Sequence, residues 1–215
     1  KERENPEVTA YLEVENDYCD LKMKDTSTFQ QQLFEEMKAR YKEDDESLPY
    51  FFYEYWYIVR FEIGKEYPIF SRKFQNLDQE ESILIDVNIL AENQKFFEIG
   101  SVAVSPDNKL MSFSSDNVGR RIYTIQFKNL ETGEVYPEQI PNTTGKAVWA
   151  NDNEHVFYIR KDESLRAFQV YRHQLGTDSS LDVLVFHEDD ETFDVNVFKT
   201  KSLEYIFIGS SSTIS

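Results

Sequence analysis

Val104-Ser105-Pro106-Asp107-Asn108 stands directly before the apolar run Leu110-Met111-Ser112-Phe113, and Trp149-Ala150-Asn151-Asp152-Asn153 stands in the same way before Val156-Phe157-Tyr158-Ile159. From Asn108 to Asn153 the step is 45 residues. A third, poorer copy is Phe198-Lys199-Thr200-Lys201-Ser202 before Tyr205-Ile206-Phe207-Ile208. In each, β-branched and aromatic residues give way to a polar turn and return, which is the pattern of two strands joined by a tight connection. A repeat of about 45 residues with four short strands per unit is the signature of propeller blades. An antiparallel sandwich built of hairpins is the alternative reading of the same strands.

Working outward, runs rich in Tyr, Phe, Val and Ile occupy 51–61, 67–73, 82–87, 100–105, 109–114 and 121–129, then 146–150, 155–160, 168–174, 181–186, 192–199 and 204–210. No helical period separates these runs, which argues against a parallel α/β sheet. Tight turns such as Leu130-Glu131-Thr132-Gly133-Glu134 bound them. The stretch 49–215 holds only three to four units of about 45 residues, fewer than the four to eight of a closed ring. The chain therefore reads as part of a longer protein.

Upstream the period changes. Val8, Tyr11, Leu12 and Tyr18 fall at helical spacing, with Asn5 placed to cap and Pro6 at the first helical position. Ser27-Thr28-Phe29-Gln30 reads as a capping box opening a second helix, whose Phe29, Leu33, Met37 and Tyr41 recur every fourth residue. The acidic cluster Glu43-Asp44-Asp45-Glu46 and then Pro49 end the pattern. The expected organisation is thus a helical segment at 1–48 followed by a β segment at 49–215.

Charge narrows the partners. With 40 acidic against 23 basic residues the net charge is -17, which repels phosphate backbones and anionic lipid and would steer cationic ligands. Nucleic acid and membrane are not expected partners. No apolar run reaches the roughly 18 residues that span a bilayer. Lys1 to Pro6 lack the order of a signal peptide. A single cysteine, Cys19, excludes an intrachain disulfide and fits a reducing compartment, so the cytoplasm is expected.

Motifs for chemistry are scarce. Gly209-Ser210-Ser211-Ser212-Thr213 comes nearest to a nucleophile elbow but carries Thr where Gly is needed. His155, His173 and His187 lack the close pairing of zinc ligands, and a surface or half-buried structural role is expected for each. Cys19 has no basic neighbour to activate it. Carboxylate groups such as Asp189-Asp190-Glu191 read as solvated turns, and Asn142-Thr143-Thr144 matches a glycosylation pattern that needs a secretory context. Neither a metal nor a cofactor is expected. The aromatic run Tyr50-Phe51-Phe52-Tyr53-Glu54-Tyr55-Trp56-Tyr57 reads as a core strand packed against the next blade. Val102, Val104, Trp149 and Val195 are expected on inner strands.

Taken together, the pieces resemble oligopeptidase B, of the prolyl oligopeptidase group of serine peptidases. The resemblance is carried by Asn5-Pro6-Glu7-Val8-Thr9-Ala10-Tyr11-Leu12, Gly64-Lys65-Glu66-Tyr67-Pro68-Ile69-Phe70-Ser71-Arg72-Lys73, Val104-Ser105-Pro106-Asp107-Asn108, Val148-Trp149-Ala150-Asn151-Asp152 and Val170-Tyr171-Arg172-His173-Gln174-Leu175-Gly176, among others in the same order. One departure is Tyr50 to Glu54, where relatives often carry a glycine turn. The resemblance implies a mainly β fold, with N-terminal helices that pack on a C-terminal α/β-hydrolase domain and a seven-bladed, unclosed propeller. It also implies cleavage of short peptides after Arg or Lys, with the propeller gating access and the Ser, Asp and His triad lying beyond residue 215. The alternative function is a stand-alone propeller that binds protein partners. Paired arginines in so acidic a chain make the turn of Asp116, Arg120 and Arg121 a candidate contact with the hydrolase domain. Alone, this chain is expected to be inactive and to self-associate.

Overall fold

The structure is a computed structural model and describes residues 5–212. Two compact units divide the chain, Lys1–Asp45 and Glu46–Ser215.

In the first unit, helix α1 runs Pro6–Met23, five residues beyond the expected Tyr18. Its start is as read: the Asn5 Oδ1 accepts the Glu7 N–H at 2.9 Å and Pro6 occupies a position that needs no N–H. A 3-10 turn, Lys24–Thr26, leads into α2, Ser27–Lys38. The expected capping box at Ser27 does not form, because the 3-10 turn delivers the chain with Thr26 and Ser27 already in helical backbone. Gln30 instead donates through its amide to the Thr26 hydroxyl at 2.7 Å. Neither helix buries a residue within the unit.

The second unit holds thirteen strands among the described residues: β1 Tyr50–Phe52, β2 Tyr55–Arg60, β3 Ile69–Phe74, β4 Ser82–Asp86, β5 Glu98–Val104, β6 Leu110–Asp116, β7 Tyr123–Asn129, β8 Val135–Trp149, β9 His155–Lys161, β10 Ala167–Gln174, β11 Val183–His187, β12 Phe193–Lys199 and β13 Ile206–Ser212. All pair with sequence neighbours and all are antiparallel, in sheets β1 to β4, β5 to β11, and β12 with β13.

The middle sheet is two blades sharing one long strand. The first half of β8 pairs with β7, where Ile140 faces Ile125, and its second half pairs with β9, where Trp149 faces Val156. Between the halves the strand bends at Asn142 and Gly145, with φ of 60° and 92°, and both ladders slip register there. Strand was expected only at 146–150, whereas β8 begins at Val135. The chain instead passes from the outer edge of one blade to the inner edge of the next without leaving the ladder.

Three separate cores lie between four successive blades. Tyr57, Leu84 and Ile85 of the first blade meet Met111 and Phe113 of the second. Ile125, Phe127 and Ile140 of the second meet Trp149, Val156 and Tyr158 of the third. Val148, Ile159 and Val170 of the third meet Val195 and Val197 of the fourth. Along β8 and β9 the residues divide by parity: Trp149 and Tyr158 face one neighbour, Val148 and Ile159 the other. A sandwich has one core between two sheets; sheets buried on both faces and stacked in sequence are propeller blades.

The aromatic run divides where one core strand was expected. Tyr53 and Glu54 take φ of 46° and 68°, so the run folds into the hairpin of β1 and β2 with no glycine at the turn. Tyr50, Phe51 and Phe52 are exposed on β1, and only Tyr57 and Ile58 enter the core. After β4 a single helical turn, Val87–Leu90, capped by Asp86, lies where strand was expected to end.

Candidate functional site

The first strand of each blade lies beside the first strand of the next. The Trp149 indole N–H on β8 is within 3.1 Å of both the Ala103 carbonyl on β5 and the Ser112 hydroxyl on β6. The Lys199 ammonium on β12 donates to the Trp149 carbonyl at 3.0 Å, and Lys146 on β8 reaches Asn196 on β12 at 3.4 Å. Val102 and Val104 stand on β5, Trp149 on β8 and Val195 on β12, the strands on which period 2 and the repeat had set them. An open hollow of about 220 Å³ lies across these strands, lined by Phe52, Ala103, Lys146, Trp149, Phe198 and Lys199 among others. Burial lowers the Lys199 pKa against the opposing pull of Asp152.

The repeating turns at the ends of these strands interlock. Asn108, Asn153 and Leu203, one per blade, share a left-handed backbone, with φ of 64°, 62° and 63°. The Asn108 side-chain amide donates to the Tyr53 carbonyl at 3.0 Å, the Asp107 N–H donates to Asn153 Oδ1 at 2.9 Å, and the Asn151 amide donates to the Leu203 carbonyl at 2.9 Å. Each turn is therefore held by the next. Arg72, stacked on Tyr55 at 3.9 Å, ties the first blade to the same ring through the Asn108 carbonyl at 3.0 Å. The polar turn that reveals the repeat in the sequence is also what couples the blades.

The turn proposed as a contact is organised by Asp116. Its carboxylate accepts the N–H groups of Val118 and Gly119 at 2.8 and 3.0 Å and of Arg121 at 2.6 Å. Burial opposes its ionisation, yet these backbone donors outweigh burial and hold its pKa below the usual carboxylate range. Asp116 is 2% exposed and faces its own loop, while Arg120 and Arg121 are exposed. Arg121 has φ of 55°, and its carbonyl accepts the Lys161 ammonium at 2.6 Å, fastening the turn to the third blade.

One histidine departs from expectation. His173 is fully buried, with one ring nitrogen on Asp182 at 2.6 Å and the other on Glu138, and its ring stacks on Phe127 at 5.7 Å. Glu138 belongs to the second blade and His173 to the third, so the ring cross-links them. Tyr158 donates to the other oxygen of Asp182 at 2.7 Å. Neither Glu138 nor Asp182 is near His173 in sequence, and no local signal could have found the cluster. His155 contacts Asp152, and His187 contacts Gln169 and Asp189. Among the described residues no group of His, Cys, Asp and Glu is arranged to hold a metal.

Comparison with known proteins places this geometry. Residues 1–215 match the family model described as prolyl oligopeptidase, N-terminal β-propeller domain. The chain belongs to that family. It is 37% identical to dipeptidyl aminopeptidase BI of Pseudoxanthomonas mexicana, across 99% of this chain and 32% of that protein. With Protease 2 of Moraxella lacunata it shares 32% identity, again over 99% of this chain and 32% of the relative. The structure of oligopeptidase B from Leishmania major superposes with a TM-score of 0.92 at 32% identity, covering 98% of this chain and 30% of that one. The chain thus spans about a third of the length of the relatives it matches. No helix among the described residues is long and apolar enough to cross a membrane.

Proposed function

We propose that this chain is the N-terminal and propeller part of a serine oligopeptidase that cleaves short peptides after Arg or Lys, and that the propeller gates access to a catalytic domain elsewhere in the protein. The observation that carries the reading is the likeness to oligopeptidase B along nearly the whole chain, at 32% identity and a TM-score of 0.92. Blades coupled through interlocked turns and double-sided cores form a stiff wall. A stiff wall excludes folded proteins by size and admits extended peptides. The surplus carried by a net charge of -17 would speed the approach of basic peptides, an effect that salt screens within about 8 Å at physiological ionic strength. Exposed Arg120 and Arg121, on a turn made rigid by Asp116, are suited to meet a carboxylate of the catalytic domain. A reducing, cytoplasmic setting suits the free, exposed Cys19.

The test is hydrolysis of a dibasic chromogenic peptide by the full-length gene product, compared with the same peptide ending in Pro and with one whose N-terminal dipeptide carries the reporter. Cleavage after Arg or Lys, inhibited by a serine-directed reagent, slowed by added salt and absent from the 215-residue chain alone, is the expected result. Preference for Pro, or release of dipeptides only, would overturn the assignment of specificity.

A further inference from the structure

Between the first blade and strand β5 lies a half-open cavity of about 430 Å³, within the size range that holds small molecules. Tyr50, Phe52, Tyr57, Phe70, Leu84 and Val102 form most of its aromatic and aliphatic wall. Not one charged side chain lines it, in a chain of which 29% of residues are charged. Tyr57 is 6% exposed, and its buried hydroxyl has no acceptor for its proton, since Arg72, the side chain acting on it, can only donate. A buried O–H left without an acceptor is costly, and a cavity beside it offers a place for one. Burial raises the phenol pKa, against the opposing pull of Arg72 across the ladder, so at neutral pH the group remains an O–H donor.

We propose that this cavity is a binding site for a small neutral molecule with an aromatic body and one hydrogen-bond-accepting oxygen, the oxygen taking the Tyr57 O–H and the ring lying among the walls of Tyr50, Phe52 and Val102. The uncharged lining favours a neutral ligand, since a charge buried there would lose its hydration. Exposed Tyr50 and Phe52, on the short strand β1, form its entrance. The inference is independent of the peptidase reading, because it needs no residue outside the first two blades.

Acetophenone is the probe. Titrated into the 215-residue chain and followed by the methyl resonances of Val102 and Leu84, it is expected to bind saturably with a Kd on the order of 1 mM, typical of so small a ligand. Tyr57→Phe removes only the hydroxyl and should weaken binding about fivefold, the share of one net hydrogen bond. Val102→Phe fills the cavity and should abolish binding; if that variant does not fold, Tyr57→Phe decides alone. The absence of a saturable shift up to 10 mM, or an unchanged Kd in Tyr57→Phe, would overturn the proposal.

Discussion

Two glycines show how much one missing Cβ can decide. A Cβ at Gly145 would stand 2.8 Å from the Tyr123 ring and 2.9 Å from the Ser114 hydroxyl, and its φ is 92°. Gly100, one repeat earlier, meets the same two side chains at 2.7 and 2.6 Å, so both glycines make room for one tyrosine. Gly133 has a similar backbone, φ 77°, but nothing within 4 Å. Gly145→Ala should therefore lower stability by roughly 2 kcal/mol or more and Gly133→Ala by about 1, the difference being the steric part. Urea midpoints of the two variants against the parent measure it. At Asp116 the cost is polar: Asp116→Asn keeps one acceptor oxygen and leaves a part-buried backbone N–H facing an amide, an expected loss of about 1–3 kcal/mol.

At the scale of elements, the helices and the blades differ in what holds them. α1 and α2 bury no residue in their own unit, and their Val8, Tyr11, Leu33 and Met37 are exposed. A helix of this length with little packing is marginal in water. By contrast β7, β8 and β9 are paired on both edges and contribute Phe127, Ile140, Val156 and Tyr158 to a dry core. Amide exchange in the 215-residue chain should accordingly be faster by several orders of magnitude in α1 and α2 than in β7 to β9. Equal protection in the two sets would show that the helical faces are covered in solution. Trp149 belongs to this scale too, because its indole joins three strands; Trp149→Ala should cost about 3–5 kcal/mol and Trp149→Phe distinctly less.

For the whole molecule, acid should act through a set of turn carboxylates. In Asp116, Asp152 and Asp162 burial opposes ionisation, but backbone N–H donors, aided by His155 at Asp152 and Arg166 at Asp162, outweigh it and hold each pKa below the usual range. A carboxyl whose folded pKa lies under its unfolded value of about 3.9 stabilises fully above that value and ceases to do so as pH falls through the folded pKa. The urea midpoint should thus be level from pH 7 to about 5 and fall steadily from about 4 towards 2, as a series of denaturation curves would show. Salt should act in the opposite sense on association. Exposed Phe29, Leu33, Met37 and Tyr41, together with Phe198 and Phe207 on the last two strands, favour contact between copies, while a net charge of -17 opposes it. Light scattering at tens of micromolar should give a mass that rises with ionic strength; a monomer at both low and high salt would remove this expectation.

The repeat at Asn108 and Asn153, the alternation along the strands and the change of period near Pro49 were legible because they are local: turn chemistry and side-chain parity act over a few residues. Those signals sufficed for helices followed by blades and for Val102, Val104, Trp149 and Val195 on first strands, while the family came from the resemblance of whole segments. What escaped is non-local. The passage of β8 between two blades depends on Asn142 and Gly145 adopting left-handed backbone under the demands of two ladders. The hairpin at Tyr53 and Glu54 uses residues without turn propensity, held there in part by Asn108, 55 positions away. The burial of His173 between Glu138 and Asp182 requires two blades already stacked. The cavity beside Tyr57 exists because two sheets approach without filling the space between them, a mismatch of surfaces that neither strand encodes by itself.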